Sequence, residues 1–221
     1  MGTGRFIAFE GIEGSGKSTQ IRLLQEWLEA RGSDVLFVRE PGGTPAGERI
    51  RDILLDPSLS EMSDVCEMML FAASRAQLIH QNVRPALDAG KTVLCDRFVY
   101  SSLAYQAYAR GLGRERVWTT NAPAVDSVLP DRVVLLDLSP TDAMARARAR
   151  GSLDRIEAES LEFHEAVRRG FLREAERDPE RFLVVPAQGQ SESIHQSIIE
   201  GLSDLFEETG SGPAAAEEQS S

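Results

Sequence analysis

The sequence predicts an α/β fold in which helices flank both faces of a five-stranded, mostly parallel sheet. Two observations carry that expectation. Five short apolar or β-branched runs, at residues 6–9, 35–38, 92–95, 133–138 and 182–185, alternate with stretches of helical periodicity, the pattern of a doubly wound sheet. The first run leads straight into a glycine-rich loop that opens a helix. Each run is almost continuously apolar, as in strands covered on both faces.

The helices follow in order. The first starts at Lys17, with Ile21, Leu24 and Leu28 at helical spacing and Arg31-Gly32 as its stop. A second covers residues 50–55, after the turn-rich Pro41-Gly42-Gly43-Thr44-Pro45, and a long one runs from about Asp64 to Asn82. Further helices are expected over residues 101–109, 141–150, 160–177 and 194–206, the last with Ile194, Ile198, Leu202 and Leu205 along one face. From Glu207 the chain reads EETGSGPAAAEEQSS. Without apolar periodicity, this stretch is expected to be a disordered tail behind one domain of residues 1–206.

A chain of 221 residues is long enough to bury a substantial core. No apolar run approaches a membrane span, and the N-terminal residues lack a signal-peptide pattern, so the expected location is cytoplasmic. Cys66 and Cys95 have no metal-type spacing, and Cys95 reads as a buried, reduced thiol. The net charge of -11 argues against broad nucleic-acid binding, which needs a basic field. A small phosphorylated substrate is compatible with that charge only where cations are concentrated locally.

The segment Gly11-Ile12-Glu13-Gly14-Ser15-Gly16-Lys17-Ser18 is a P-loop pattern between a strand and a helix. Its glycines let backbone N–H groups turn inward around phosphate oxygens, and the helix N-terminus adds partial positive charge. Lys17 then reaches the β- and γ-phosphates of ATP, and Ser18 binds Mg²⁺. A guanine-reading Asn-Lys-x-Asp motif and a D-x-x-G switch are both missing, which disfavours a regulatory GTPase and leaves a small kinase. Asp96-Arg97 ends the third run, where ligands of parallel sheets bind. Asp96 suits an Mg²⁺-bound water and Arg97 a phosphate, and Glu10, at the end of the first strand, is a similar candidate to Asp96 for the metal. The local cations appear at residues 146–155, RARARGSLDR, which read as a mobile arginine lid at about residues 146–157 with Gly151 as hinge.

These segments together resemble bacterial thymidylate kinases, within the P-loop nucleoside monophosphate kinases. The likeness runs from about Phe6 to Leu205. It includes residues 9–19, Arg39-Glu40-Pro41-Gly42-Gly43-Thr44, Leu70-Phe71-Ala72-Ala73-Ser74-Arg75, Asp96-Arg97 with Ser101-Ser102 and Ala104-Tyr105-Gln106, and the lid ending Leu153-Asp154-Arg155-Ile156-Glu157. The resemblance implies a three-layer α/β/α architecture, ATP and thymidine monophosphate as substrates, Mg²⁺ as cofactor and a homodimer. It places Phe71 against the thymine ring, Arg75 on the base, Arg97 on the acceptor phosphate and Glu13 at the sugar 3′-hydroxyl. Tyr105 packs on the deoxyribose, Ser102 and Gln106 line the same pocket, and Pro41 borders it. Gly11, Ile12, Glu13, Gly14, Ser15, Gly16, Lys17, Ser18, Thr19 and Arg146 surround ATP, and Pro186-Ala187-Gln188-Gly189 borders the adenine. Gly14 replaces the P-loop arginine of eukaryotic relatives, so the transition-state cation comes from the lid. Arg146, Arg148, Arg150 and Arg155 are all open for that role, with Arg150 and Arg155, near the hinge, the expected pair. The apolar stretch 65–69 is a candidate dimer face.

Overall fold

The computed structural model describes residues 4–149 and 154–206. Its centre is a five-stranded parallel sheet of β1 (Arg5–Glu10), β2 (Val35–Arg39), β3 (Thr92–Asp96), β4 (Arg132–Asp137) and β5 (Phe182–Pro186), in the order β2-β3-β1-β4-β5. Every pairing is parallel. The middle strands are apolar over their central residues because helices cover both faces: Phe6, Ile7, Ala8 and Phe9 are all buried. The edge strands depart from that rule. Phe37 on β2 and Val184 on β5 are 43% and 41% exposed, since an edge strand has a sheet neighbour on one side only. The register brings Phe9 opposite Asp96, and Asp96 opposite Arg39. The carboxyl ends of β1, β2 and β3 therefore lie side by side, and their following residues form the site.

Helix α1 (Lys17–Glu29) starts where Gly16 adopts a left-handed conformation. It packs Ile21, Leu24 and Leu28 into the core and lies against α9 (Ser191–Gly201). Helix α2 (Pro45–Leu55) begins five residues before its expected start. Pro45 is its first residue, a position that needs no N–H donor, and the buried Thr44 hydroxyl accepts from the Gly47 N–H at 2.9 Å. A proline read as part of a turn is thus a helix starter.

The long helix does not run unbroken to Asn82. Helix α3 (Asp64–Leu78), capped by Ser63, passes into a π-turn (Ile79–Val83) and then α4 (Arg84–Asp88). Pro85 lacks a donor and its ring crowds the preceding turn, which accounts for the widening. A second π-turn interrupts the helix expected over residues 101–109. Helix α5 (Val99–Ser102) widens into Leu103–Ala109, where the Arg110 N–H bonds Tyr105 O at 2.9 Å. Helix α6 (Arg114–Val125) escaped the sequence reading. Its Thr-Thr-Asn-Ala-Pro stretch is poor in helix formers and it carries no strong apolar stripe.

Helix α7 (Pro140–Ala149) and helix α8 (Leu161–Arg177), capped by Ser160, flank the lid. The final helix starts earlier than expected and breaks at Leu202, giving α9 and α10 (Ser203–Phe206). Ile194, Ile198 and Leu202 are buried and Leu205 partly so, so the expected face survives the break. The tail expected over residues 207–221 lies outside the described residues. Thr44→Ala removes the α2 cap while leaving the core intact. It is expected to cost about 1 kcal/mol of stability, measured as a lowered urea midpoint at unchanged slope.

Candidate active site

The phosphate loop sits between β1 and α1 with its glycines forced by neighbours as well as by turn geometry. Gly14 has φ 81°, and a Cβ built there meets the Ala143 carbonyl oxygen of α7 at 2.3 Å. The lid helix thus rests on the loop, and no side chain fits at the position where eukaryotic relatives were expected to differ. Lys17 is buried and its Nζ donates to Gly11 O and Ile12 O, each at 3.1 Å. Burial, and then the nearby Arg97, hold the Lys17 ammonium below its ordinary pKa. Gly14, Gly16, Lys17, Ser18, Thr19, Asp96, Arg97 and Arg146 line a cleft of about 780 Å³, a size suited to a nucleotide. Asp96 Oδ1, in the cleft wall, and Ser15 Oγ, in the loop, are buried without a hydrogen-bond partner.

On the far side of the loop lies a second pocket. Glu13, Pro41, Phe71, Arg97, Ser102, Tyr105 and Gln106 all line it, so residues scattered between positions 13 and 106 converge. Tyr105 and Gln106 come from the π-turn after α5. Glu13 and Arg97 also line the phosphate cleft. The two spaces therefore meet at an ion pair, Arg97 Nη2 to Glu13 Oε2 at 3.0 Å. Arg97 Nη1 donates to Gly11 O at 2.9 Å, and its guanidinium stands 5.4 Å from the Tyr105 ring centroid.

Arg97 needs strong support, because its backbone is left-handed at φ 69°, an uncommon state for a side-chain-bearing residue. Glu10 supplies it. Its carboxylate accepts from Phe98 N–H at 2.9 Å, Ser101 N–H at 3.1 Å and Ser101 Oγ–H at 2.6 Å. Glu10 is fully buried and both oxygens are engaged, so the metal role suggested for it is corrected: it fixes the turn that carries Arg97. Burial, against the opposing effects of Ser101, Arg97, the Phe98 N–H and Lys17, pushes its carboxyl from 4.5 up to about 7.

Two of the arginines expected in the site are held by protein partners. Arg75 is not laid open to the pocket. It is 1% exposed, pairs with Glu40 Oε2 at 2.5 Å, donates to Ser102 Oγ at 3.1 Å and bonds Asn121 Oδ1. Glu40 and Ser102 line the pocket in its place. Arg155 is not a free lid cation: its Nη2 pairs with buried Glu67 at 2.6 Å and its Nε donates to Leu54 O at 2.9 Å. Arg150 lies outside the described residues. Arg146 lines the phosphate cleft, and Arg148 faces a smaller space beneath α7 with Ile12, Glu13 and His164.

Several lining residues went unread in the sequence. Arg51 of α2 borders both spaces and donates to Pro41 O at 2.9 Å. Glu40, Asp154, Glu157 and His164 also line the second pocket. A cation one helical stretch after the Pro-Gly-Gly-Thr turn was the available signal for Arg51. His164 carried none. Cys95 is buried, and burial raises its thiol pKa well above the ordinary value. Among the described residues no helix is long and apolar enough to cross a membrane, and no group of three His, Cys, Asp or Glu residues could hold a metal ion.

The family model for thymidylate kinase matches residues 9–198, which spans the loop, both spaces and the lid. The chain belongs to the thymidylate kinase family. It is 47% identical to the thymidylate kinase of Thermoanaerobacter pseudethanolicus over 197 residues, covering 89% of this chain and 96% of that one. It is 48% identical to the Symbiobacterium thermophilum thymidylate kinase over 193 residues, covering 87% and 90%. The crystal structure of thymidylate kinase from Ehrlichia chaffeensis superposes with a TM-score of 0.76 at 30% identity, covering 91% of this chain and all of that one.

Two outcomes follow for this member of the family. Gly14→Ala forces α7 off the loop and strains a positive φ, so ATP affinity measured by calorimetry is expected to fall at least about tenfold. For Glu10, the folded pKa exceeds the unfolded one. Its protonated form therefore contributes stability that is full below pH 4.5 and is lost as pH rises through about 7. Comparing urea midpoints of the wild type and Glu10→Gln across that range should show the wild type losing stability relative to the variant as pH rises.

Proposed function

We propose that the phosphate cleft holds ATP, that the second pocket holds thymidine 5′-monophosphate, and that the γ-phosphoryl passes between them beside Arg97 and Glu13. As a member of its family the chain phosphorylates thymidine monophosphate to the diphosphate, with ATP as donor. The observation that carries the site assignment is the shared wall: Glu13 and Arg97 line both spaces.

The acceptor phosphate is itself the nucleophile, so no strong general base is required. The protein's work is positioning and charge stabilisation. Lys17 and the N-terminus of α1 hold the donor phosphates. Arg97 holds the acceptor phosphate, while Glu13 orients both Arg97 and the sugar 3′-hydroxyl. Phe71 stacks on the base and Tyr105 closes the sugar pocket. Arg75 serves the base from behind, by setting Ser102 and Glu40. The segment Pro186-Ala187-Gln188-Gly189 borders the adenine; its Ala187 N–H is fixed on Asp137 O at 2.8 Å.

Mg²⁺ fits the cleft. Asp96 offers a buried oxygen without a partner and Ser18 a hydroxyl on the same wall, the sparse protein donor set of an ion held mainly by phosphates and water. When bound, Mg²⁺ supplies positive charge against the β- and γ-phosphate oxygens. Lid arginines 146, 148 and 150 are the candidates to complete that charge. The catalytic unit is residues 1–206, acting in the cytoplasm as a homodimer. The dimer face is α3 around Val65 and Met69, where Met69 is 57% exposed, and the adjoining α2 exposes Ile53 at 43%.

With ATP and Mg²⁺, a panel of dTMP, dUMP, UMP, CMP, AMP and thymidine is expected to give the highest kcat/KM on dTMP; preference for another acceptor would refute the assignment. Arg97→Ala is expected to weaken dTMP binding about 100-fold by calorimetry, with a much smaller change for ATP.

A further inference from the structure

Glu67 lies behind the acceptor pocket, on the same face of α3 as Phe71 and Arg75, at intervals of four residues. It is 1% exposed. A carboxylate offers about four acceptor sites, and here four hydrogen bonds fill them. Oε1 accepts from Gln106 Nε2 at 2.9 Å and Arg110 Nε at 3.3 Å; Oε2 accepts from Arg110 Nη2 at 3.2 Å and Arg155 Nη2 at 2.6 Å. Burial favours the neutral form, but Arg110, Gln106 and Arg155 outweigh it and hold the carboxyl below its ordinary range.

Two of the donors tie Glu67 to the acceptor pocket from opposite sides. Gln106 is part of its wall. Arg155 belongs to the C-terminal part of the lid, and its neighbours Asp154, Ile156 and Glu157 line the same pocket. Arg155 is held at two more points, through its Nε on Leu54 O at 2.9 Å and its backbone N–H on Leu55 O at 3.3 Å. Arg110 stiffens the junction by pairing also with Glu159 at 2.5 Å and Asp64 at 3.5 Å. Sending Arg155 to a phosphate would leave a buried carboxylate short of a partner, a costly state.

We propose that Glu67 is a positioning residue of the acceptor site, and that Arg155 is the fixed anchor of the lid's C-terminal stem, leaving the transition-state cation to the arginines on the α7 side. This rests on the acceptor pocket assigned above. Glu67 acts through Gln106 and Arg155 without touching substrate. Its loss therefore disorders one wall of the acceptor pocket and leaves the phosphate loop as it was.

The test is steady-state kinetics on the full chain with ATP and dTMP, for wild type, Glu67→Gln, Arg155→Met and the double variant, with Tm recorded for each. The glutamine amide nitrogen cannot accept, so one pair of donors loses its partner. Both single variants are expected to raise KM for dTMP about tenfold, with KM for ATP and kcat changed far less. The double variant should be no worse than the worse single, because both remove one contact. Two results overturn the proposal. One is a loss of about a thousandfold in kcat for Arg155→Met at unchanged KM for dTMP, the mark of a delivered cation. The other is a folded Glu67→Gln with unchanged KM for dTMP. Should the glutamine variant fail to fold, Glu67→Asp and Arg155→Lys keep the charges but break the geometry; the same selective rise supports the proposal, and an unchanged KM overturns it. A wild type that prefers another acceptor refutes the dTMP assignment alone, and the KM comparison is then made with that acceptor.

Discussion

The site depends on one buried carboxylate at the end of the central strand. Glu10 grips the backbone of Phe98 and the backbone and hydroxyl of Ser101, and so holds the turn after β3 in a shape the chain would otherwise avoid. That turn gives Arg97 its left-handed backbone and points its guanidinium at Glu13 and at the carbonyl of Gly11. Without it, β1 and β3 would still pair. The phosphate loop that follows the first and the arginine that follows the second would no longer be locked together. Parallel pairing brings the two strand ends side by side; the Glu10 contacts turn that proximity into a fixed junction.

The charge pattern follows the same logic. A chain with net charge -11 repels polyanions over most of its surface, yet Lys17, Arg51, Arg97 and Arg146 gather along one cleft. The contacts of Lys17, Arg51 and Arg97 with Glu13 and with loop carbonyls keep these cations oriented, so little reorganisation is needed when phosphate oxygens arrive. Arg75 and Glu40 show a different use of charge. Both are buried, and each would be costly alone. As a pair, with Ser102 and Asn121 taking both Nη1 hydrogens of Arg75, they form a stiff base beneath the acceptor pocket.

Much of this was legible in the sequence, and the reasons for the exceptions are physical. The phosphate loop and the ends of β1 and β3 are local patterns, and local patterns survive folding. The pocket residues Phe71, Tyr105 and Gln106 became visible only through several segments standing in family order, since a lone aromatic on a helix reads equally as core. What sequence could not supply was pairing. The RARARGSLDR stretch shows four arginines, but nothing in it says that Arg155 finds a carboxylate 88 residues away while Arg146 faces the cleft. The π-turn that presents Tyr105 and Gln106 is invisible for a similar reason, as apolar spacing does not distinguish it from a regular helix. Helix α6 carries Asn121 to Arg75 on a stretch whose residues favour helix poorly, so tertiary contacts there override propensity.

The two ends of the lid are therefore unequal. At one end α7 rests on Gly14, where a side chain has no room, so its contact with the loop is backbone to backbone and is free of interlocking side chains at that point. At the other end Arg155 is tied to Glu67, Leu54 and Leu55. The α7 end borders the donor cleft through Arg146, while the clamped end stands beside the acceptor pocket, whose wall Asp154, Ile156 and Glu157 join. The division also explains why a fixed arginine belongs beside that pocket: a buried carboxylate such as Glu67 is costly without a cation, and Arg155 supplies one at the cost of its own availability to a phosphate.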